Sequence, residues 1–208
     1  AAYAVQPVNG IQMREHVYLW IPILGNALPV LVIPFIGHVS DRVGRRPPLI
    51  AGSLIAGLLS FAYLYAISIR HVPMAIVVSL MMWGVFYQGY NAVFPSFYPE
   101  LFPSRIRVTA MAIAQNLGTM VTALLPALFA AVARPGSSRI PWTIGAITFA
   151  VTVIASVAAW SARETSRVPL ADLGNPDAVP LDEWEYMRLR AEVTALELAR
   201  GGRATERV

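Results

Sequence analysis

Two short runs of the chain concentrate charge at spacings that chemistry can use. Gly37-His38-Val39-Ser40-Asp41-Arg42-Val43-Gly44-Arg45-Arg46-Pro47 sets a carboxylate beside an arginine, then a glycine, then an arginine pair. Tyr98-Pro99-Glu100-Leu101-Phe102-Pro103-Ser104-Arg105-Ile106-Arg107 sets one carboxylate ahead of two further arginines. Neither run holds a nucleophile with a base, a phosphate-binding loop or ligands at metal spacing, so the chemistry on offer is ion pairing and an enzyme is disfavoured. His16, His38 and His71 stand apart from one another, and cysteine is absent, so no metal site and no cofactor is expected. Asp41 suits the positive N-terminal end of a neighbouring helix, and Glu100 suits an arginine of the 42 to 46 turn. Gly37 and Gly44 allow a tight turn, and Pro99 and Pro103 are expected to interrupt any helix there.

The elements that must position these residues are apolar. Of the 208 residues 56% are hydrophobic and 13% charged, about half the charge of an ordinary soluble domain. Five stretches, near residues 17–36, 49–69, 73–94, 108–133 and 140–160, each approach the roughly 20 residues that a helix needs to cross a bilayer, and none contains Asp, Glu or Arg. They lack the strict alternation of strands, so the fold class is an all-α membrane protein with five transmembrane helices. Trp142 and Trp160 stand at the two ends of the last span, as interfacial aromatics do.

The net charge of +4 rests on 16 basic residues, all arginine. Seven of them, Arg42, Arg45, Arg46, Arg105, Arg107, Arg163 and Arg167, fall on one side of the spans, against Arg14, Arg70, Arg134 and Arg139 on the other. This distribution argues for topology rather than nucleic-acid binding and places the C-terminus in the cytoplasm of a multi-pass cell-membrane protein. The chain opens with Ala-Ala-Tyr, and its odd span count puts the N-terminus outside with no charged export segment, so a fragment lacking upstream helices is expected. Residues 162–180, rich in proline and glycine, read as a cytoplasmic linker, and 181–208 as an amphipathic helix and tail with acidic Asp182, Glu183 and Glu185 first and Arg188 and Arg190 later.

The first run has the form G-x-x-x-D-R-x-G-R-R and resembles the loop signature of the major facilitator superfamily. The second resembles the P-E-x-F-P-x-R-x-R loop of its metabolite:proton symporters, the shikimate, dicarboxylate and proline/betaine permease type, and Arg163-Glu164-Thr165 resembles the tripeptide after the family's last helix. The resemblance implies that the five spans correspond to helices eight to twelve of a twelve-helix fold, with residues 1–16 as the outer end of helix seven and an external loop. It implies the C-terminal half of a secondary transporter that moves an organic acid or compatible solute, with protons, by alternating access, in partnership with a missing N-terminal half. A sugar porter or drug exporter of the same superfamily, or a non-transporting receptor or scaffold, is the alternative. Gly37, Asp41, Arg42, Gly44, Arg45, Arg46, Glu100, Arg105 and Arg107 would then form a conformational latch.

Polar side chains inside spans are costly and mark candidate substrate contacts. Gly84, Tyr87, Gln88, Asn91 and Pro95 recur at helical spacing in the third span, Gln115 with Thr119, Thr122 and Pro126 in the fourth beside Asn116, and Asn26 lies in the first. Trp83, four residues before Tyr87, would supply an aromatic wall. The other reading is that these groups hydrogen-bond between helices. No span contains a carboxylate, so a proton-coupling acid is expected in the missing half. Gly52, Ser53, Ala56 and Gly57 allow close helix packing, and Pro22, Pro29 and Pro34 predict a kinked first span.

Overall fold

A computed structural model describes residues 20, 23–132, 140–169, 172–175 and 177–205. All regular structure among them is helical: α1 (Pro29–Val43), α2 (Arg46–Ser68), α3 (Val72–Ser79), a π-helical segment (Leu80–Tyr87), α4 (Gln88–Glu100), α5 (Arg107–Ala123), α6 (Leu125–Val132), α7 (Ile140–Ser161) and α8 (Glu183–Thr205). Four continuous stretches are long and apolar enough to cross a membrane: Arg46–Ser68, Val72–Glu100, Arg107–Val132 and Ile140–Ser161. Residues 17–19, 21 and 22 of the first apolar stretch, Pro22 among them, lie outside the described residues.

Prolines open the helices where their missing N–H costs nothing. Pro29 is the first residue of α1; the helical residues before it end at Ala27, and Leu28, with helical φ and ψ, carries the backbone hydrogen bonds through to α1. Pro34, Pro95 and Pro99, by contrast, sit inside helices. The expected interruption at Pro99 is therefore corrected: α4 runs through both of its prolines to Glu100, as apolar spans tolerate when nearby groups and local adjustments absorb the freed carbonyls. The expected loop over 37–48 is corrected too. α1 continues to Val43, so Gly37 and Asp41 are helical, and the turn consists of Gly44 and Arg45 alone. An Asp41–Arg45 pair at i, i+4 supports this longer helix.

Helix α2 is the centre of the bundle. It packs most extensively along α7 and also against α3, the π segment and α4, while α1 lies against α4. Its small residues make this possible. A Cβ at Gly57 would stand 2.0 Å from Thr152 Oγ1, and one at Gly52 would stand 2.9 Å from the Tyr90 Cβ. Buried Ser53 and Ser156 hydrogen-bond across the α2–α7 seam at 2.7 Å. Two small apolar clusters close the ends, Leu49, Val93 and Phe97 at the arginine-rich end and Ala66, Ile67 and Ala75 at the other. Trp142 and Trp160 are 65% and 69% exposed at opposite ends of α7, positions suited to interfacial rings. No described residue of α5 or α6 is buried.

Candidate functional site

The charged site is built where three segments meet: the α1–α2 turn, the end of α4, and the chain after α7. Glu164 is its organising residue. Its carboxylate accepts the backbone N–H of Arg45 at 2.8 Å and of Arg46 at 3.0 Å, and also those of Thr165 and Ser166, each at 3.0 Å. It thus closes the N-terminus of α2, where free N–H groups and the helix dipole favour an anion. Burial alone would push this carboxyl up, but the bonds from Arg45, Arg46 and Ser166 outweigh it and hold it below the usual carboxylate range. The cap expected from Asp41 is therefore supplied by Glu164.

Gly44 makes this approach possible. It has φ +110°, and a Cβ there would stand 2.8 Å from Glu164 Oε2. Asp41 instead accepts from Arg45 Nη1 at 2.5 Å, and Ser40 Oγ accepts from the same nitrogen at 3.3 Å. Arg45 Nε lies 3.7 Å from Glu100 Oε2, an ion pair without a hydrogen bond, and Nε is buried with no hydrogen-bond partner among the described residues. Glu100 in turn accepts the Thr165 hydroxyl at 2.5 Å. The sequence pairing of Glu100 with the 42 to 46 turn thus resolves to Arg45.

The remaining expected residues divide. Arg46 donates to the carbonyls of Ala159 and Trp160 and ties α2 to the end of α7. Arg107 donates to Phe102 O at 3.3 Å and Ser104 Oγ at 3.4 Å, bracing its own loop. Arg42 and Arg105 are exposed and outside the network, and Gly37 has nothing within 4 Å of a Cβ position.

The described residues of the segment 162–180, expected as a linker, pack down as a strap. Arg163 donates to Leu101 O at 3.1 Å and to Asn175 O, Leu173 and Thr165 are buried, and Gly174 (φ +91°) sits so close that a Cβ would stand 2.2 Å from Pro103 N. Arg167 then reaches Glu183 at 3.3 Å and so meets the start of α8. Nothing in the local sequence of Glu164 distinguishes a cap from a solvated charge.

The polar group in the third span is organised by the π segment. A π turn advances the chain by more residues per turn than an α-helix, so the stripe drawn at α spacing is not continuous: Gly84 is buried against Leu28, while Asn91 and Pro95 are exposed. Trp83 stacks on Tyr87 with centroids 4.4 Å apart, and Tyr87 meets Tyr90 edge to face at 5.2 Å. Trp83 Nε1 donates to Asn26 Oδ1 at 3.4 Å, with Gly25 leaving room for the indole, and Asn91 Nδ2 donates to Gln88 Oε1 at 3.3 Å. The structure thus brings Asn26 to the Trp83–Tyr87 stack. Asn116, however, donates to Ala112 O of its own helix at 2.8 Å, and exposed Gln115 accepts the Thr119 hydroxyl through its backbone. Helix α5 packs chiefly on α4 and α6.

A bundle of helices, four of them apolar and long enough to cross a membrane, with interlocked charged turns at one end, is the architecture of an integral membrane protein. The chain belongs to the Major Facilitator Superfamily, whose pattern it matches over residues 7–199. It is 30% identical over 141 residues to the proline/betaine transporter of Salmonella typhimurium, covering 68% of this chain and 28% of that protein. It is 29% identical over 154 residues to the glycine betaine/proline/ectoine/pipecolic acid transporter of Dickeya dadantii, covering 74% of this chain and 30% of that one. The citrate-proton symporter of Klebsiella pneumoniae is 33% identical over 91 residues, 43% of this chain and 20% of its own length. The chain therefore spans less than a third of the relatives it matches, all of which are named as transporters. No solved structure matches it.

Proposed function

We propose that this chain supplies the C-terminal half of a secondary transporter that moves a small polar metabolite, an organic acid or compatible solute, together with protons. The observation that carries the reading is the polar group at the junction of the π segment and α4. The stretch Val72–Glu100 is centred on Phe86, so at about 1.5 Å per residue Tyr87 and Gln88 lie within about 3 Å of its middle and Asn91 about 8 Å from it, inside a core about 30 Å thick. Polar residues at that depth, paired to one another yet still accessible, suit a substrate site of the kind transporters place at the midplane. The printed names of the relatives, proline/betaine and citrate among them, support zwitterions and carboxylates as the solute class.

Asp41, Gly44, Arg45, Glu100 and Glu164 would act as a latch at the cytoplasmic ends of the helices, made in one state of the transport cycle and broken in another. The seven-to-four arginine bias supports a cytoplasmic location for this end and for the C-terminus. Among the described spans the only carboxylate is Glu100, at a helix end, so the proton-binding group is assigned to helices outside this chain. The test is uptake of labelled carboxylates and betaines into proteoliposomes by the intact transporter, with and without a pH gradient. Gradient-dependent accumulation of one class is expected, and absence of uptake across the panel would remove the reading.

A further inference from the structure

We propose that the groove between α1 and α2 binds an acyl chain of an anionic phospholipid, with the headgroup held by Arg42. The two helices diverge from the Gly44–Arg45 turn because both are seated on the third span. Gly52 brings α2 onto Tyr90, and Gly89 brings α4 onto Ile36, where a Cβ would stand 3.3 Å from the Ile36 Cγ1. A trough of about 300 Å3 remains between them, lined by Val39 and Val43 of α1, Pro47, Ala51 and Ile55 of α2, and Phe86 of the π segment.

Length and lining suit a hydrocarbon chain. From Pro47 to Ile55 the trough runs eight residues, about 12 Å, which is within the roughly 15 Å depth of one leaflet. A single hydrocarbon chain is slim enough to lie along it, against side chains of α1, α2 and the π segment. Water is excluded because, Tyr90 apart, the lining side chains carry no polar atom.

Charge selects the headgroup. An acyl chain that moves from bilayer to groove gains no hydrophobic free energy, since both surroundings are apolar, so discrimination must come from the mouth. There Arg45 is engaged by Asp41 and Glu100, and Arg46 by the Ala159 and Trp160 carbonyls. Arg42 lies in the same helical turn as Val39 and Val43, is exposed, and its guanidinium has no partner among the described residues, while its carbonyl is held by Arg167. One such cation at the arginine-rich end of a helix pair is matched by a phosphate and disfavours a neutral lipid.

The test is native mass spectrometry of the full chain in mild detergent, titrated with an equal mixture of dioleoyl phosphatidylglycerol and dioleoyl phosphatidylcholine. Phosphatidylglycerol adducts are expected in about fivefold excess, the preference that one arginine confers. Arg42→Gln should bring the two lipids to parity, and Ala51→Phe, which fills the trough, should reduce both adducts together. Equal retention by the wild-type chain, or adducts undiminished by Ala51→Phe, would overturn the assignment. A photoreactive benzoylphenylalanine in place of Ile55 gives a readout independent of the filled variant: a cross-link to phosphatidylglycerol is expected, and a cross-link to polypeptide would mean that a protein segment occupies the trough instead.

Discussion

The Glu164 carboxylate and the Arg45 backbone N–H, 2.8 Å apart, join the chain just after the last span to the start of α2, 119 residues earlier in the sequence. One side chain here satisfies two of the N–H groups that a helix start leaves open, and it does so from a different part of the fold. Ordinary capping residues act on their own helix, so this contact carries tertiary as well as local stability.

Replacing Glu164 tests that coupling. Glu164→Ala removes every acceptor and is expected to cost about 1–2 kcal/mol, the range of a lost cap, and to lower Tm by about 2–8 °C for a chain of this size. Glu164→Gln keeps one acceptor oxygen and should fall between the two. Thermal unfolding in detergent, followed by circular dichroism, measures both, and an Ala variant as stable as the parent would remove the cap from the account.

The same residue sets a pH dependence. Because the folded Glu164 carboxyl titrates below its ordinary value, the unfolded chain binds more protons through the acidic range, and stability from this group rises with pH. Its contribution is complete above the ordinary carboxylate value of about 4.3 and is lost as pH falls through the lower folded value. The difference in Tm between parent and Glu164→Gln should therefore be flat from neutral pH to about 5.5 and shrink below about 4. A difference that grew on acidification would contradict the sign.

Two glycines that look alike in the loop signature should respond oppositely. Gly44 holds φ +110° against Glu164, a backbone region open to glycine alone, so Gly44→Ala is expected to cost about 1–3 kcal/mol. Gly37 lies inside α1 with open space around it, so Gly37→Ala should be neutral or stabilise by up to about 1 kcal/mol. Denaturation midpoints of the two variants, compared side by side, decide whether the turn sits at 44–45 or begins at 37.

That contrast also marks how far the amino-acid pattern could be followed. The apolar stretches around Leu49 to Ile69 and Ile140 to Trp160 announce their helices because length and hydropathy act locally, and the Glu100 pairing with the 42 to 46 turn follows from charge in two recognisable loops. The end of α1 at Val43 was hidden, since glycine and charged residues are compatible with both a loop and an exposed helix end. The π segment was hidden for a different reason: Leu80 to Tyr87 is apolar throughout, so no periodicity separates a π turn from an α turn, yet the choice decides whether Gly84 shares a face with Asn91. Leu173 and Gly174 read as linker because their burial depends on Pro103, some 70 residues away.

The strap gives a further expectation. A Cβ at Gly174 would collide with the Pro103 backbone, and the rigid ring cannot move aside, so Gly174→Ala should detach residues 166–180 from the α4–α5 loop. Opening favoured by about 1.4 kcal/mol or more raises the exposed population tenfold, and trypsin cleavage at Arg167 should accelerate accordingly. Unchanged cleavage kinetics would mean that the segment is not held by this contact.

The last expectation concerns transport by the intact protein. If the group at the junction of the π segment and α4 contacts solute, Tyr87→Phe and Asn91→Ala remove hydrogen-bonding groups near the midplane while leaving the charged turns untouched, and each should raise KM for uptake several-fold, about 1 kcal/mol of binding, with a smaller change in kcat. Arg45→Gln should do the reverse. It leaves the solute contacts in place but deprives Glu100 and Asp41 of their shared cation, so it should alter the rate of interconversion between states, and hence kcat, more than KM. Uptake kinetics in proteoliposomes separate the two patterns, and a rise in KM alone from Arg45→Gln would place the charged turns in solute binding instead of in the latch.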